Sequence, residues 1–337
     1  MMLSLPASDL SNNRIPEPIK KGNESLENKL HNKLELLLPP KDTNLGKISR
    51  YHFKARGKFI RGKLALITGD SFGVSKEWSL LWALSVELMH NASLVHDDIC
   101  DHDSIRRGNR NVSAKFGEEV ALTFGDWLIG KSFELASIIT TESKETALIT
   151  SLAKALQITS NGQVKDLSYL KYPNWNEYLA IAGNKTAPLL SIPISGMLQL
   201  SGNLCHCGPL NNVLIETSKY YQISNDILNF LGEDGALSPF SDIHRRAPNA
   251  VIIKFRDTIN NTSTKKIFDE WLNSFIDCDV EYWRNQINHS SALLETKKAL
   301  EFIDYRIEEQ SKALPKKLKN ITNSIKTQIK IANQIKF

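Results

Sequence analysis

The sequence predicts an all-α fold, one large helical bundle, and three observations carry that expectation. Apolar residues recur at helical spacing along most of the chain. No run alternates apolar and polar residues as a half-buried strand would, and there is no internal repeat. The stretches 76–96 and 184–201 are apolar around most of their circumference, which suits helices enclosed by other helices. With 337 residues and a hydrophobic fraction of 41%, a sizeable core is within reach.

In chain order, residues 1–22 are rich in Ser, Asn, Pro and Lys and are expected to form a flexible leader, with 23–337 as the folded domain. The first helix is expected near 24–38, where Pro39 and Pro40 stop it. Others follow near 59–73, 76–101, 117–140, 143–161, 174–201, 209–231 and 249–260, with amphipathic segments near 264–275, 292–313 and 316–335. Pro188 and Pro193 fall inside 174–201 and lack the amide hydrogen that closes a helical turn, so they should bend that helix or expose carbonyls.

The net charge is +5, with much of the excess at Lys316, Lys317, Lys319, Lys326 and Lys330. No aromatic residues interleave with these lysines, so they read as a solvated helix face and exclude nucleic acid as the natural partner. At most they offer weak contact with an anionic membrane surface. No run approaches the ~20 apolar residues of a membrane span, and the N-terminus has no lysine-flanked apolar core, so a soluble protein is expected. Cys100, Cys205, Cys207 and Cys278 make no disulfide framework, which fits a cytoplasmic location, and Cys205-His206-Cys207 lacks the second ligand pair of a zinc site.

The chemistry concentrates in LVHDDICDHDSIRRG. On a helix, Asp97, Asp98 and Asp101 stand at i, i+1 and i+4 and share one arc, so three carboxylates point the same way and repel each other. A hard divalent cation such as Mg²⁺ relieves that repulsion and can be shared with substrate phosphates. Arg106 and Arg107 supply the complement, since guanidinium groups grip phosphate oxygens bidentately. A calcium loop of the EF-hand kind is excluded: the run from Asp101 lacks the sixth-position glycine and ends at Val112 where a glutamate is needed.

A second oxygen-rich patch, Asn225, Asp226 and Asn229, repeats the i, i+1, i+4 spacing after Gln222, with one formal carboxylate and hence a weaker hold on metal. Lys185 and Thr186 sit in an otherwise apolar helix, where a lysine must either snorkel out or meet an anion. Upstream, Lys58 and Arg61 at i, i+3 and His90, about two turns before the aspartates, suggest a further anion site.

In this order the motifs resemble those of the trans-prenyltransferases, also called isoprenyl diphosphate synthases or polyprenyl synthetases. The likeness runs over roughly residues 27–256. It rests on Gly57-Lys58 with Arg61, His90, the three aspartates, Arg106-Arg107-Gly108, Gly125-Asp126, Gly162-Gln163, Asp166, Lys185-Thr186 and Gln222. The resemblance implies a helical bundle of the isoprenoid synthase type with a central active-site cavity, a homodimer, and Mg²⁺-dependent chain elongation on isoprenoid diphosphates. An allylic diphosphate ionises, the isopentenyl diphosphate double bond attacks the cation, and a proton is lost. By family role, Asp97, Asp98 and Asp101 hold Mg²⁺ on the allylic diphosphate, with Arg106 and Lys185 on its phosphates. Lys58, Arg61, His90 and Arg107 hold isopentenyl diphosphate. Thr186 and Gln222 are substrate contacts, and Asn225, Asp226 and Asn229 are ligands to further metal.

The sequence departs from the family in the second half of the site. Asn225 stands where the family usually has aspartate, Asn229 closes the patch, and ALSPFSDIHRRAPNA keeps Ser241 and Asp242 but neither of the usual lysines, for one of which Arg245 or Arg246 is expected to substitute. Terpene cyclisation and a weakly active or non-catalytic partner subunit are the alternatives. The isopentenyl diphosphate residues argue against the first and the intact aspartates against the second. Below Asp97 the stripe Ser93, Met89, Val86, Trp82 opens on a small residue, so the growing chain is expected to pass the first turn, as in medium-chain or long-chain synthases, with Met89 or Trp82 as floor.

Overall fold

The computed structural model describes residues 25–333 apart from 56, 168–170, 234–239 and 274–278, and of Ala332 and Asn333 the backbone alone. Its order is α1 (Leu26–Leu37), α2 (Asn44–Lys54), α3 (Ile60–Phe72), α4 (Lys76–Cys100), β1 (Ile105–Arg106), β2 (Asn109–Arg110), α5 (Val112–Phe116), α6 (Glu118–Ser143), α7 (Ala147–Leu167) and α8 (Trp175–Leu200). Then come a 3₁₀ turn (Leu204–His206), α9 (Cys207–Leu231), α10 (Ser241–Arg245), α11 (Ala250–Thr258), α12 (Thr262–Leu272), α13 (Val280–Asn288), α14 (Ala292–Ser311) and α15 (Lys316–Asn333). The all-α expectation holds. The chain divides into two compact units, residues up to Leu156 with Leu189–Gly208, and Gln157–Pro188 with residues from Pro209 onward.

In the first unit α4 is the central element, packed chiefly against α6 and α3. Ser75 caps it, its Oγ accepting the Trp78 amide at 3.1 Å, and Trp82, Leu88, Met89 and Leu94 are buried along it. Small residues let α4 and α6 approach closely. The Ser85 hydroxyl donates to the Ser132 carbonyl, and the Ser132 hydroxyl returns the bond to the Ser85 carbonyl, both at 2.8 Å. The carbonyls expected around Pro193 are found and used: Pro193 has no amide to give Leu189, and Arg61 Nε donates to the Leu189 carbonyl instead at 3.0 Å. One turn on, Trp82 Nε1 donates to the Ile192 carbonyl at 3.2 Å, with its indole lying where a side chain at Gly196 would be.

The elements that the periodicity missed are short. α2 carries Gly46 in its first turn, a poor sign for a helix, yet the Thr43 hydroxyl caps it at 3.0 Å and the missing side chain leaves room for the Pro40 carbonyl. β1 and β2 form a two-residue antiparallel pair, Ile105 opposite Arg110 and Arg106 opposite Asn109. Between them Arg107 (φ 52°) and Gly108 (φ 74°) both lie in the left-handed region, the turn that suits a tight hairpin. The strands are too short to show alternation.

In the second unit α11 packs on α13 and α14 around Phe255, Phe268, Trp271 and Trp283, with Phe268 and Trp283 ring centroids 4.7 Å apart. α15 turns Leu318, Ile321, Ile325 and Ile329 inward. Its basic face is partly neutralised, Lys326 pairing with Asp304 at 2.6 Å and Glu308 at 3.1 Å, and Lys330 with Asp304 at 2.9 Å. Among the described residues no helix is long and apolar enough to cross a membrane.

Candidate active site

A helix C-terminus is the negative end of the helix dipole, so carboxylates there need compensation. α4 ends on Asp97 and Asp98, both buried, and on half-buried Asp101, whose amide closes the last turn on the Asp97 carbonyl at 2.8 Å. The hairpin supplies the compensation. Arg106, on β1, reaches back so that its Nη2 lies 2.6 Å and its Nε 2.7 Å from Asp98 Oδ1. Burial pushes the Asp98 carboxyl above its ordinary value against the pull of Arg106. The Arg106 guanidinium, though burial opposes its charge, is held above its own ordinary value by Asp98.

Arg107 turns the other way. Its Nη1 donates to the Ala55 carbonyl at 2.9 Å, and a side chain at Gly57 would lie 2.9 Å from its Nη2, so Gly57 is the space the guanidinium uses. A cavity of about 220 Å³ opens here, lined among others by Tyr51, His52, Asp98, Arg106, Arg107 and Arg110. His52 was not singled out from the sequence, where nothing marks it. Its Nε2 lies 2.9 Å from Asn91 Oδ1, and burial lowers its pKa to about 4.

Burial, then the charges of Arg61, Arg107 and Arg106, hold His90 well below its ordinary value, so its imidazole is neutral; its Nδ1 is buried with no hydrogen-bond partner among the described residues. The charges of Arg61 and Arg107 thus both act on His90. Arg61 is 2% exposed. Lys58 is exposed, and burial lowers its pKa, with Lys63 and Glu27 the charges that act on it.

In the second unit Lys185 is buried, and its Nζ lies 2.6 Å from Asp166 Oδ2 on α7. The helices approach this closely because Gly162 has no side chain; a Cβ there would sit 2.8 Å from the Lys185 amide nitrogen. Beside the pair, Thr186 Oγ1 and both amide atoms of Gln163 are buried without partners among the described residues. On α9 the spacing of the second patch is as expected, but its atoms are engaged. Asp226 accepts the Tyr178 hydroxyl on Oδ2 at 2.6 Å, the Ala250 amide on Oδ2 at 2.8 Å and Gln222 Nε2 on Oδ1 at 2.8 Å. Burial, then Asp242, raise the Asp226 carboxyl to about 8 against those donors, and burial and Asp226 hold the Tyr178 hydroxyl well above its usual value. Asn229 donates to Ser241 Oγ at 2.9 Å and accepts the Asp242 amide at 3.2 Å.

Arg246, one of the two arginines expected to substitute for a missing lysine, is enclosed. That guanidinium is buried over the Trp271 ring at 4.7 Å, with Nε donating to the Trp271 carbonyl. Arg245 is half exposed, 3.5 Å from Asp242.

Among the described residues no three His, Cys, Asp or Glu side chains are gathered as a ready-made metal site, and Asp98 turns its carboxylate onto Arg106. The donor set at α4 nevertheless suits a hard cation. Asp97 Oδ2 is a buried carboxylate oxygen with no hydrogen-bond partner among the described residues, on the same helix end as Asp98 and Asp101. The patch on α9 offers no comparable oxygen on Asp226.

An all-α chain of this architecture falls in the class of isoprenoid-synthase-type helical proteins. The family model for polyprenyl synthetase matches residues 42–280. A short chain isoprenyl diphosphate synthase of Methanocaldococcus jannaschii is 31% identical over 233 residues, 68% of this chain and 71% of that protein. A geranylgeranyl pyrophosphate synthase of Geoglobus acetivorans is 28% identical over 303 residues, 86% and 92% of the two chains. Among solved structures, geranylgeranyl pyrophosphate synthetase from Pyrococcus horikoshii shares the fold with a TM-score of 0.76 at 24% identity, covering 92% of this chain and 97% of that one. The chain belongs to the polyprenyl synthetase family.

Proposed function

We propose that this protein is a Mg²⁺-dependent prenyltransferase that ionises an allylic diphosphate and joins it to isopentenyl diphosphate, giving a longer trans-prenyl diphosphate. The observation that carries the reading is the corner where α4, ending on its aspartates, meets the hairpin, with Asp98, Arg106 and Arg107 lining one cavity. Asp97, Asp98 and Asp101 would hold Mg²⁺, which when bound neutralises charge on a leaving diphosphate. Arg106 binds diphosphate oxygens in place of Asp98 and stabilises the charge that gathers as the carbon–oxygen bond breaks. Arg61, Arg107 and neutral His90, with Lys58, bind the second diphosphate. In the second unit Lys185 and Thr186 are the polar groups offered to a phosphate, with Gln222 a further contact. Of the relatives named above, one is a short chain isoprenyl diphosphate synthase and another a geranylgeranyl pyrophosphate synthase, so a short product is proposed in place of the medium or long one suggested by Ser93. Trp82, pinned to the Ile192 carbonyl, is a fitting floor. A homodimer in the cytoplasm belongs to the same proposal.

The test is incubation of purified protein with Mg²⁺, labelled isopentenyl diphosphate and a series of allylic diphosphates. Label in a longer diphosphate, abolished by chelation and by Asp97→Ala, supports elongation. An unlabelled hydrocarbon or alcohol would mean cyclisation, and no turnover a partner subunit.

A further inference from the structure

We infer that Asp226 and Asn229 are not metal ligands but a latch that fastens residues 241–250 to α9, leaving the divalent cation to the cluster of Asp97, Asp98 and Asp101. The last clause rests on the proposed function; the latch itself does not.

A carboxylate ligates a hard cation through lone pairs that are free or easily freed. Asp226 has three donors on its two oxygens, from Tyr178 on α8, Ala250 at the start of α11 and Gln222 on its own helix. Turning to a cation would strand a buried tyrosine hydroxyl and a buried amide, and stranded buried groups are what folded proteins avoid. Asn229 has both ends of its amide in use, on Ser241 and Asp242. The bonds around them continue the same task. Asn249 Nδ2 donates to the Asp226 carbonyl at 3.1 Å and to Asp242 Oδ2 at 3.0 Å. The Tyr172 hydroxyl donates to the Ala247 carbonyl at 2.8 Å and accepts the Asn249 amide at 3.1 Å. The bonds to Asp226 and Tyr172 hold 241–250 from outside, and the bond from Asn249 to Asp242 ties the segment to itself. The i, i+1, i+4 spacing therefore serves a network of neighbours drawn from α8, α10 and α11. Asn225, the remaining member, brings no charge. At α4 the reverse holds: Asp97 presents a buried oxygen that no described residue bonds.

The experiment is Mn²⁺ binding to the full chain by calorimetry, with and without inorganic diphosphate, alongside thermal melting and hydrogen exchange of peptides covering 241–250. Tyr178→Phe and Asp226→Asn are expected to lower the melting temperature and speed exchange in 241–250 while leaving Mn²⁺ affinity unchanged. Asp97→Asn is expected to weaken Mn²⁺ at least about tenfold with exchange there unaltered. The inference is overturned if Asp226→Asn weakens Mn²⁺ as Asp97→Asn does. It is equally overturned if Tyr178→Phe, which frees the carboxylate without removing it, tightens Mn²⁺. Should the wild type bind no Mn²⁺ while both latch variants loosen 241–250, the latch stands and the proposed function falls.

Discussion

Arg61 and Pro193 together make a prediction that neither makes alone. Pro193 leaves the Leu189 carbonyl without its helical partner, and Arg61 Nε fills the vacancy at 3.0 Å in a buried place. Replacing Arg61 by Met orphans that carbonyl, at a cost of about 1–3 kcal/mol for an unsatisfied buried group. It also removes a charge near Glu87 and some packing, so the single variant proves little. Pro193→Ala restores an amide at the position where the helix would donate to Leu189, and it does not touch Glu87. In that background the carbonyl is already satisfied, so Arg61→Met should cost less by the orphaned-carbonyl part, a coupling of about 1–2 kcal/mol. The four chains of the cycle are compared by urea unfolding, followed by circular dichroism and tryptophan fluorescence, whose coincidence licenses the comparison. If Arg61→Met is equally costly in both backgrounds, within about 0.5 kcal/mol, the carbonyl account is wrong.

Three further outcomes follow from the same geometry. His52 is held neutral down to about pH 4, whereas the unfolded chain takes up that proton near 6.5. Its stabilising contribution is therefore present above pH 6.5 and lost as the pH falls toward 4, with an upper bound of about 3 kcal/mol; His52→Gln should remove part of the acid slope in urea midpoints, and an unchanged slope would count against it. Gly162→Ala drives a methyl group against the Lys185 backbone and should cost about 1–3 kcal/mol in the same unfolding assay, a neutral result meaning that α7 and α8 can part without penalty. Ser93→Phe should shorten the product seen by chromatography of labelled diphosphates; the same product as wild type removes the Ser93 stripe from the chain-length pocket.

Long buried helices were legible because their apolar pattern repeats over many turns. α4, α8 and α9 fall within about two residues of their expected bounds. α7 runs to Leu167, six residues beyond expectation, because Gly162, ordinarily a helix-ending signal, here marks the contact with α8. α2, α5, α10, α13 and the hairpin were invisible: five to eleven helical residues, or two-residue strands, carry too few periods to register. At the site, the carboxylates and the arginines are readable as types. What a motif cannot show is who satisfies whom. Lys185, in an apolar stretch, must snorkel out or meet an anion, and its partner Asp166 lies on another helix, 19 residues away. The spacing marks Asp226 as a ligand, and two of the donors on its oxygens, Tyr178 and Ala250, lie 48 and 24 residues off.

The space at Gly57 has an evolutionary consequence. Arg107 uses that space to reach the Ala55 carbonyl, so any side chain at 57 must displace the guanidinium or be displaced by it. Positions 57 and 107 are thus tied through one shared volume although they lie far apart in the sequence. Related chains that keep this hairpin and its arginine should be unable to vary at 57 independently, whereas chains that lose the arginine become free to vary there.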